Sequence, residues 1–304
     1  MLYVNSRNKA ESYTAHRVLA ENPVDGRGVV VPFRLRKMTP EQVQNICSAN
    51  FYDAVALALN HFFNLRLEGW DLELNVGRNA VSIQEFTPKI NIAELWHNPA
   101  NTYNFLEKAL YKKMSENQGE IPLWARIAIR TAVLFGIYAQ MNEQGIESID
   151  VVGVSCDVTT YLAPFYAKIL GLPIRSILIG CDDESGLWEF IHKGQLPTSS
   201  TAAVAVEMMI FSVFGDEEVN RFAQYRSNRR NYTLDEEQLA QLGDGLYAAV
   251  IGSSRLDTVR ENVLRTNAYP ISRKTAIAYS AVQDYRARTG ECRNMLLFAD
   301  SSSD

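Results

Sequence analysis

The residues best suited to chemistry follow a short apolar run in the middle of the chain. Residues 148–154 are typical of a buried strand, and Cys156, Asp157 and Thr159 come directly after it. A thiol can act as a nucleophile, and a carboxylate can act as a general acid or base. The segment after this strand is therefore a candidate ligand-binding or catalytic loop.

The remaining cysteines and histidines have no pattern that points to a metal. The chain has four of each, and neither set shows metal-ligand spacing or a CxxC pair. We therefore predict neither a metal site nor a disulfide framework. Free thiols are typical of a reducing compartment, which favours a cytoplasmic protein.

Composition excludes several classes of partner. The chain has 304 residues, is 47% hydrophobic and carries a formal net charge of −5. These values are ordinary for a globular protein, and the acidic balance gives no electrostatic reason to expect nucleic acid. The longest apolar stretch, 128–139, contains Arg130 and is too short to cross a bilayer. The polar N-terminal residues lack a signal-peptide core, so no membrane partner is predicted.

Helices and short apolar strands alternate from residue 121 onward. The predicted strands are 148–154, 174–180, 246–251 and 294–298. The predicted helices are 124–142, 160–170, 184–193, 203–224, 257–265 and 274–288, and two earlier ones begin at Thr39-Pro40 and span 51–63. This alternation predicts an α/β fold with a doubly wound, mainly parallel sheet, whose ligands bind beyond the carboxyl ends of the strands.

Six stretches, in the same order along the chain, resemble the threonine synthase family of pyridoxal phosphate (PLP) enzymes. They are LYVNS (2–6), PVDGRGVVVPFRL (23–35), ELWHNPANTYNFL (94–106), WARI (124–127), AKILGLPIR (167–175) and AYPISRKTAIAY (268–279). The resemblance implies an N-terminal α/β extension over 1–90 and a sheet domain over 91–304. It also implies that the family's small lid domain is missing, since only 115–120 stand in its place.

The same resemblance implies that the family's chemistry has been lost. Asn104 stands where the family has the lysine that forms the Schiff base with PLP, and an amide cannot replace that amine. The family's glycine-rich phosphate loop aligns with GVSCDVT (153–159), in which the Asp157 carboxylate would repel a phosphate. Lys108, one turn after Asn104, is interpreted as part of a solvated helix face, as are Lys112 and Lys113. We therefore expect no cofactor, although PLP is the cofactor of the family.

The function predicted from these departures is that of a catalytically inactive threonine synthase-like protein. Its vestigial cleft consists of His97, Asn104, Cys156, Asp157 and Thr159. No catalytic, cofactor-binding or metal-binding residue is predicted. The expected role is binding, either of a small molecule in the cleft or of a partner protein. Two alternatives stay open, namely an active PLP-dependent lyase and an enzyme with other chemistry in the same cleft. A homodimer is also expected, because the helix predicted over 124–142 has more apolar residues than one buried face needs.

Overall fold

Two β-sheets, each with helices packed beside it, make up the chain. The computed structural model describes residues 1–24, 27–73, 81–95, 103–116, 119–181, 185–197, 199–228 and 231–299, with the backbone alone at 103–105. The N-terminal sheet has three antiparallel strands in the order β2-β1-β3. These strands are β1 (Leu2–Asn5), β2 (Asn8–Thr14) and β3 (Val30–Pro32).

The second sheet has six strands and carries the candidate site. Its strands are β4 (Ser82–Thr87), β5 (Ile90–Glu94), β6 (Ile149–Val154), β7 (Ile174–Cys181), β8 (Leu246–Val250) and β9 (Met295–Ala299). Their order is β4-β5-β9-β6-β7-β8, with β4 antiparallel to β5 and the remaining neighbours parallel. The predicted α/β fold with a mainly parallel sheet is therefore confirmed.

Thirteen α-helices occupy the described ranges. They are α1 (Ala15–Ala20), α2 (Pro40–Cys47), α3 (Phe51–Phe63), α4 (Gly69–Leu72), α5 (Tyr103–Met114), α6 (Leu123–Glu143), α7 (Thr159–Leu170), α8 (Leu187–Lys193), α9 (Ser200–Phe214), α10 (Asp216–Ser227), α11 (Glu236–Gly243), α12 (Leu256–Asn267) and α13 (Arg273–Thr289). None of the helices in these ranges is both long enough and apolar enough to cross a membrane.

Local capping chemistry explains where several helices begin and end. Thr39 accepts a hydrogen bond from the Gln42 amide in a capping box and Pro40 is the first residue of α2, as the sequence predicts. The helix predicted over 203–224 is instead two helices, α9 and α10, separated at Gly215 with φ 86°. With a positive φ and a ψ of −167°, Gly215 cannot continue an α-helix, and the acidic residues that follow favour a new N-terminus.

The apolar character of α6 is explained inside the chain. Most of its residues are buried, and α3 and α7 pack along it. A Cβ atom on Gly136 would lie 2.7 Å from the Phe51 ring, so α3 and α6 pack closely only because this position is glycine. The helix therefore gives no reason to expect a partner subunit, and the homodimer stays a prediction.

The six-stranded sheet is covered on both faces, and its helices come very close to the carboxyl ends of two strands. Val151 of β6 belongs to the core that contains α3, α6 and α7, whereas Val152 packs on the opposite face with α13. A Cβ atom on Gly153 would lie 2.8 Å from the Thr160 carbonyl oxygen, and one on Gly180 would lie 2.6 Å from Ile277 Cγ2. These two glycines let α7 and α13 converge on the same edge of the sheet.

The predicted division of the chain at residue 90 stays a prediction. Strand β4, which precedes that position, pairs with β5 at the edge of the six-stranded sheet. Helix α5 ends at Met114 and α6 begins at Leu123, so residues 115–122 connect them.

Candidate functional site

A buried arginine joins two carboxylates at the carboxyl end of β6. Arg130 comes from α6, Glu107 from α5 and Asp157 from the turn between β6 and α7. The guanidinium Nε donates to Glu107 Oε1, and Nη1 donates to Asp157 Oδ2 at 3.0 Å. The Arg130 side chain is 9% exposed and that of Glu107 is 3% exposed. Three separate elements are therefore held together by one cation.

Two further cations complete this charge cluster, which we define as Glu107, Arg126, Arg130, Asp157 and Lys274. Arg126 Nε lies 3.7 Å from Glu107 Oε2, and Lys274 Nζ, from α13, lies 3.9 Å from Asp157 Oδ2. The cluster contains three cations and two carboxylates. Its local balance is therefore positive, although the whole chain is acidic.

The two carboxylates of the charge cluster have pKa values shifted in opposite directions. Burial raises the pKa of Glu107, and this effect exceeds the opposing effects of Arg130 and Arg126. Burial also favours a higher pKa for Asp157, but the Arg130 charge and the hydrogen bonds from Thr159 and Arg130 outweigh it. The pKa of Asp157 consequently lies below its usual value, so this carboxylate is charged at neutral pH.

The turn between β6 and α7 is organised around the Asp157 side chain. Asp157 Oδ1 accepts hydrogen bonds from the Thr159 amide at 3.2 Å and from the Thr159 hydroxyl at 2.6 Å. The Thr160 hydroxyl accepts from the Val154 amide at 2.9 Å. Asp157 accepts from the amide of the first residue of α7, because a carboxylate is a strong acceptor at a helix N-terminus.

A cleft opens beside the charge cluster. Its polar lining residues are Arg130, Thr159, Thr160 and Lys274. The rest of the lining is glycine and apolar side chains, namely Leu134, Val152, Gly153, Val154, Ala163, Pro164, Ala278 and Phe298. A few polar groups in a mostly apolar wall are typical of a small-molecule site.

The structure brings together two of the five residues predicted for the cleft. Asp157 and Thr159 are in direct contact, and Thr159 lines the cleft. Cys156 is exposed in the same turn. Asn104 lies in α5, with its side chain outside the described residues, and His97 also lies outside them. Lys108, on α5 as well, is exposed, in agreement with its interpretation as part of a solvated face.

Sequence reasoning missed four members of the charge cluster, namely Glu107, Arg126, Arg130 and Lys274. Arg130 interrupts an otherwise apolar run, and a buried arginine requires an anionic partner. Lys274 lies in the first turn of α13, where a cation is disfavoured by the helix dipole. Both positions are unfavourable locally, which is a sequence signal for a distant partner. Across the described part of the chain, no group of three or more His, Cys, Asp or Glu residues is placed to hold a metal ion.

Comparisons with known proteins identify the fold alone. No family model matches the chain, and no curated protein sequence matches it. A PLP-bound threonine synthase from Brucella melitensis has a TM-score of 0.79 at 14% identity, and the match covers 98% of this chain and 88% of that chain. The threonine synthase from yeast has a TM-score of 0.79 at 12% identity, with 99% and 87% covered. The enzyme from Escherichia coli has a TM-score of 0.68 at 14% identity, with 99% and 88% covered.

The Brucella structure corrects the expectation that no cofactor is involved. That threonine synthase has PLP bound on the same fold, so the prediction of a fold without its cofactor is wrong. The prediction considered only Asn104 and the lost loop glycines. It did not consider Arg130 and Lys274, because the fold brings these cations to the cleft from two different helices. This chain therefore has the fold of the threonine synthases, with Arg130 and Lys274 lining its cleft.

Proposed function

We propose that this chain binds a phosphorylated small molecule in the cleft, with PLP as the first candidate. The observation that supports this proposal is the convergence of Arg130 and Lys274 on one end of β6, in a cluster with an excess of positive charge. A phosphate is the ligand group that such a pair of cations stabilises best. Most of the residues that line the cleft are apolar or glycine, which suits contact with the ring of such a ligand.

The residues present fit PLP in charge and in the chemistry of the cleft lining. Lys274, whose side chain is 46% exposed, can reach a phosphate at the cleft mouth, and Arg130 lines the same cleft. The Thr159 and Thr160 hydroxyls can add hydrogen bonds, since both residues line the cleft as well. When bound, PLP supplies an aldehyde that reacts with amines and a ring that accepts electrons.

We further propose that the chain does not catalyse the threonine synthase reaction. This proposal is supported by Asn104 at the position of the family's lysine and by the exposure of Lys108 on the next turn. Other chemistry in the same cleft has less support. The lowered pKa of Asp157 is the reverse of the tuning that acid–base catalysis at neutral pH needs.

One observation favours an active PLP-dependent lyase as the second candidate. Lys274 lines the cleft and carries the kind of amine that Asn104 lacks. Lys274→Arg separates the two candidates, because arginine keeps the charge but cannot react with the aldehyde. Under the binding proposal this variant keeps its affinity for PLP, and borohydride reduction of the unaltered protein with PLP labels no specific lysine. Stoichiometric labelling of Lys274, or formation of threonine, would favour the lyase.

The binding proposal is tested by titrating the protein with PLP and following absorbance and intrinsic fluorescence. We expect saturable binding that Lys274→Gln weakens at least tenfold. Lys108→Gln is the matched control, because it removes a lysine that is exposed on α5. PLP also reacts with surface lysines, so binding that Lys108→Gln and Lys274→Gln weaken equally would contradict the proposal, as would an absence of saturation.

A further inference from the structure

The donors that an acidic ligand needs in this cleft already hold a carboxylate of the chain itself. Asp157 Oδ1 accepts from the Thr159 amide at 3.2 Å and from its hydroxyl at 2.6 Å. On the other oxygen, Oδ2, Arg130 Nη1 donates at 3.0 Å and Lys274 Nζ lies at 3.9 Å. We call these donors of Thr159, Arg130 and Lys274 the anion site.

We propose that Asp157 is a tethered competitor, whose carboxylate fills the anion site until the phosphate of a ligand displaces it. This inference rests on the proposed function, because it assumes that the cleft receives an acidic ligand. It assigns to Asp157 the role of a specificity-determining residue rather than that of a structural cap alone.

The backbone around Asp157 allows the side chain to leave while the turn stays in place. The Asp157 amide donates to the Val154 carbonyl at 3.2 Å. The Asp157 carbonyl accepts from the Thr160 amide at 3.0 Å and from its hydroxyl at 2.7 Å. These main-chain contacts do not involve the carboxylate. The Asp157 side chain is 21% exposed, so rotation about its own bonds brings it into water.

The shared arginine makes the exchange electrostatically balanced. Arg130 also donates to Glu107, whose side chain is 3% exposed and stays in place when Asp157 leaves. The guanidinium therefore always keeps one buried partner, and the incoming anion replaces one carboxylate rather than adding a third. Removing a single partner from a buried ion pair is costly, and this arrangement avoids that cost.

The exchange favours ligands that carry more negative charge than Asp157 does. A phosphate brings nearly two charges and three acceptor oxygens to the anion site. A ligand carboxylate brings one charge and the same two acceptor oxygens as Asp157, so its interaction with the anion site is little stronger than that of Asp157 itself. The expected ligands are accordingly phosphorylated small molecules rather than simple carboxylic acids.

The test compares inorganic phosphate with acetate as probes, using calorimetry on the full chain. We expect the unaltered protein to bind phosphate and not acetate at millimolar concentration. Asp157→Asn should bind phosphate at least tenfold more tightly and should also bind acetate. Asp235→Asn is the matched control, because Asp235 accepts from the Gln238 amide at the start of α11 without lining the cleft.

The outcomes separate this inference from the proposed function. If the unaltered protein binds PLP through Lys274 but Asp157→Asn changes neither probe, the tethered competitor is wrong and the proposed function stands. If Asp157→Asn binds phosphate while the unaltered protein binds neither phosphate nor PLP, Asp157 competes for the anion site, but the unaltered chain is not a PLP-binding protein. If neither binds phosphate or PLP, both ideas are wrong.

A structure of the unaltered protein with phosphate provides a test that does not depend on the folding of a variant. We expect the anion within hydrogen-bond distance of the Thr159 amide, with the Asp157 carboxylate turned toward solvent. Phosphate bound elsewhere, with Asp157 still on Thr159, would overturn the inference.

Discussion

Two arginine–carboxylate systems in this chain use the same chemical groups in different ways. In the first, Arg7 donates from Nε to Glu207 Oε1 at 2.9 Å and from Nη2 to Oε2 at 2.6 Å, and the Ser6 hydroxyl donates to Oε1 at 2.6 Å. In the second, Arg130 divides its donors between Glu107 and Asp157. The first arginine serves one carboxylate and the second serves two.

The difference indicates which system is structural and which is available to a ligand. Glu207 is 1% exposed and is fully engaged by Ser6 and Arg7 in the turn between β1 and β2, so the pair joins α9 to the small sheet. Asp157 is 21% exposed and lies beside a cleft that Arg130 lines. An ion pair in which one member can be replaced at a cavity is suited to binding, whereas a saturated pair is suited to holding two elements together.

Among the substitutions that test this difference, Arg130→Met should have the largest effect on stability and on phosphate binding. It leaves Glu107 buried without its main cation and removes a donor from the anion site, so we expect a loss of about 4 kcal/mol in unfolding free energy. Phosphate binding should be lost as well. Denaturant unfolding and calorimetry measure the two effects. A stable variant that still binds phosphate would show that Arg130 is not central to the cleft.

Arg7→Met should destabilise the protein by about 3 kcal/mol, because it leaves Glu207 buried with Ser6 as its remaining donor. Affinity for PLP should be unchanged, since neither residue lines the cleft. Lys9→Met is the matched control. It breaks the pair with Asp216, whose members are 41% and 26% exposed, and should cost less than about 1 kcal/mol. Reduced PLP affinity in Arg7→Met, at a temperature where it is folded, would remove the distinction between the two systems.

Gly153→Ala tests how closely α7 must approach the end of β6. The added Cβ would lie 2.8 Å from the Thr160 carbonyl, so the start of α7 must move, and we expect a loss of about 2 kcal/mol. Gly243→Ala, with nothing within 4 Å of its added Cβ, should be neutral or slightly stabilising. Thermal unfolding measures both. Equal stability of the two variants would contradict the close packing at the cleft.

The smallest expected effect is a difference in the pH dependence of stability. Because the folded-state pKa of Asp157 is lowered, its stabilising contribution is complete above the ordinary carboxyl range, about pH 4, and disappears as the pH falls through the lowered value. The stability gap between the unaltered protein and Asp157→Asn should therefore widen as the pH rises from about 3 to 5. A gap that narrows over this range would contradict the lowered pKa.

The contribution of Glu107 to stability should change with pH in the opposite direction to that of Asp157. Its folded-state pKa is raised, so its contribution is complete below the ordinary carboxyl range, and stability is lost as the pH rises through the raised value. Unfolding free energies of Glu107→Gln, measured against the unaltered protein over the same pH series, check this sign. A gap that widens with rising pH would show that pairing with Arg130 exceeds the effect of burial.

The sequence by itself determined those features that depend on neighbouring residues. The mostly apolar run at 148–154 predicts β6 because a strand covered on both faces is mainly apolar, although Asp150 is a buried polar residue within it, and α3 spans the predicted 51–63. The cap at Thr39 follows from two adjacent residue types. Asp157 and Thr159 are also recognisable from sequence, since an acid and a hydroxyl directly after a buried strand lie at the ligand-binding edge of a parallel sheet.

Only the tertiary structure decided what Asp157 contacts. Glu107 and Asp157 are 23 and 27 positions away from Arg130 along the chain, and Lys274 comes from α13, which packs on the opposite face of the sheet. No periodicity or local motif encodes such contacts, because they arise from how α5 packs on α6 and how α13 packs on β6. From sequence alone, Asp157 would repel a phosphate. In the folded chain, Arg130, Lys274 and Thr159 surround the same carboxylate, because burying a charge requires that opposite charge and hydrogen-bond donors come to it.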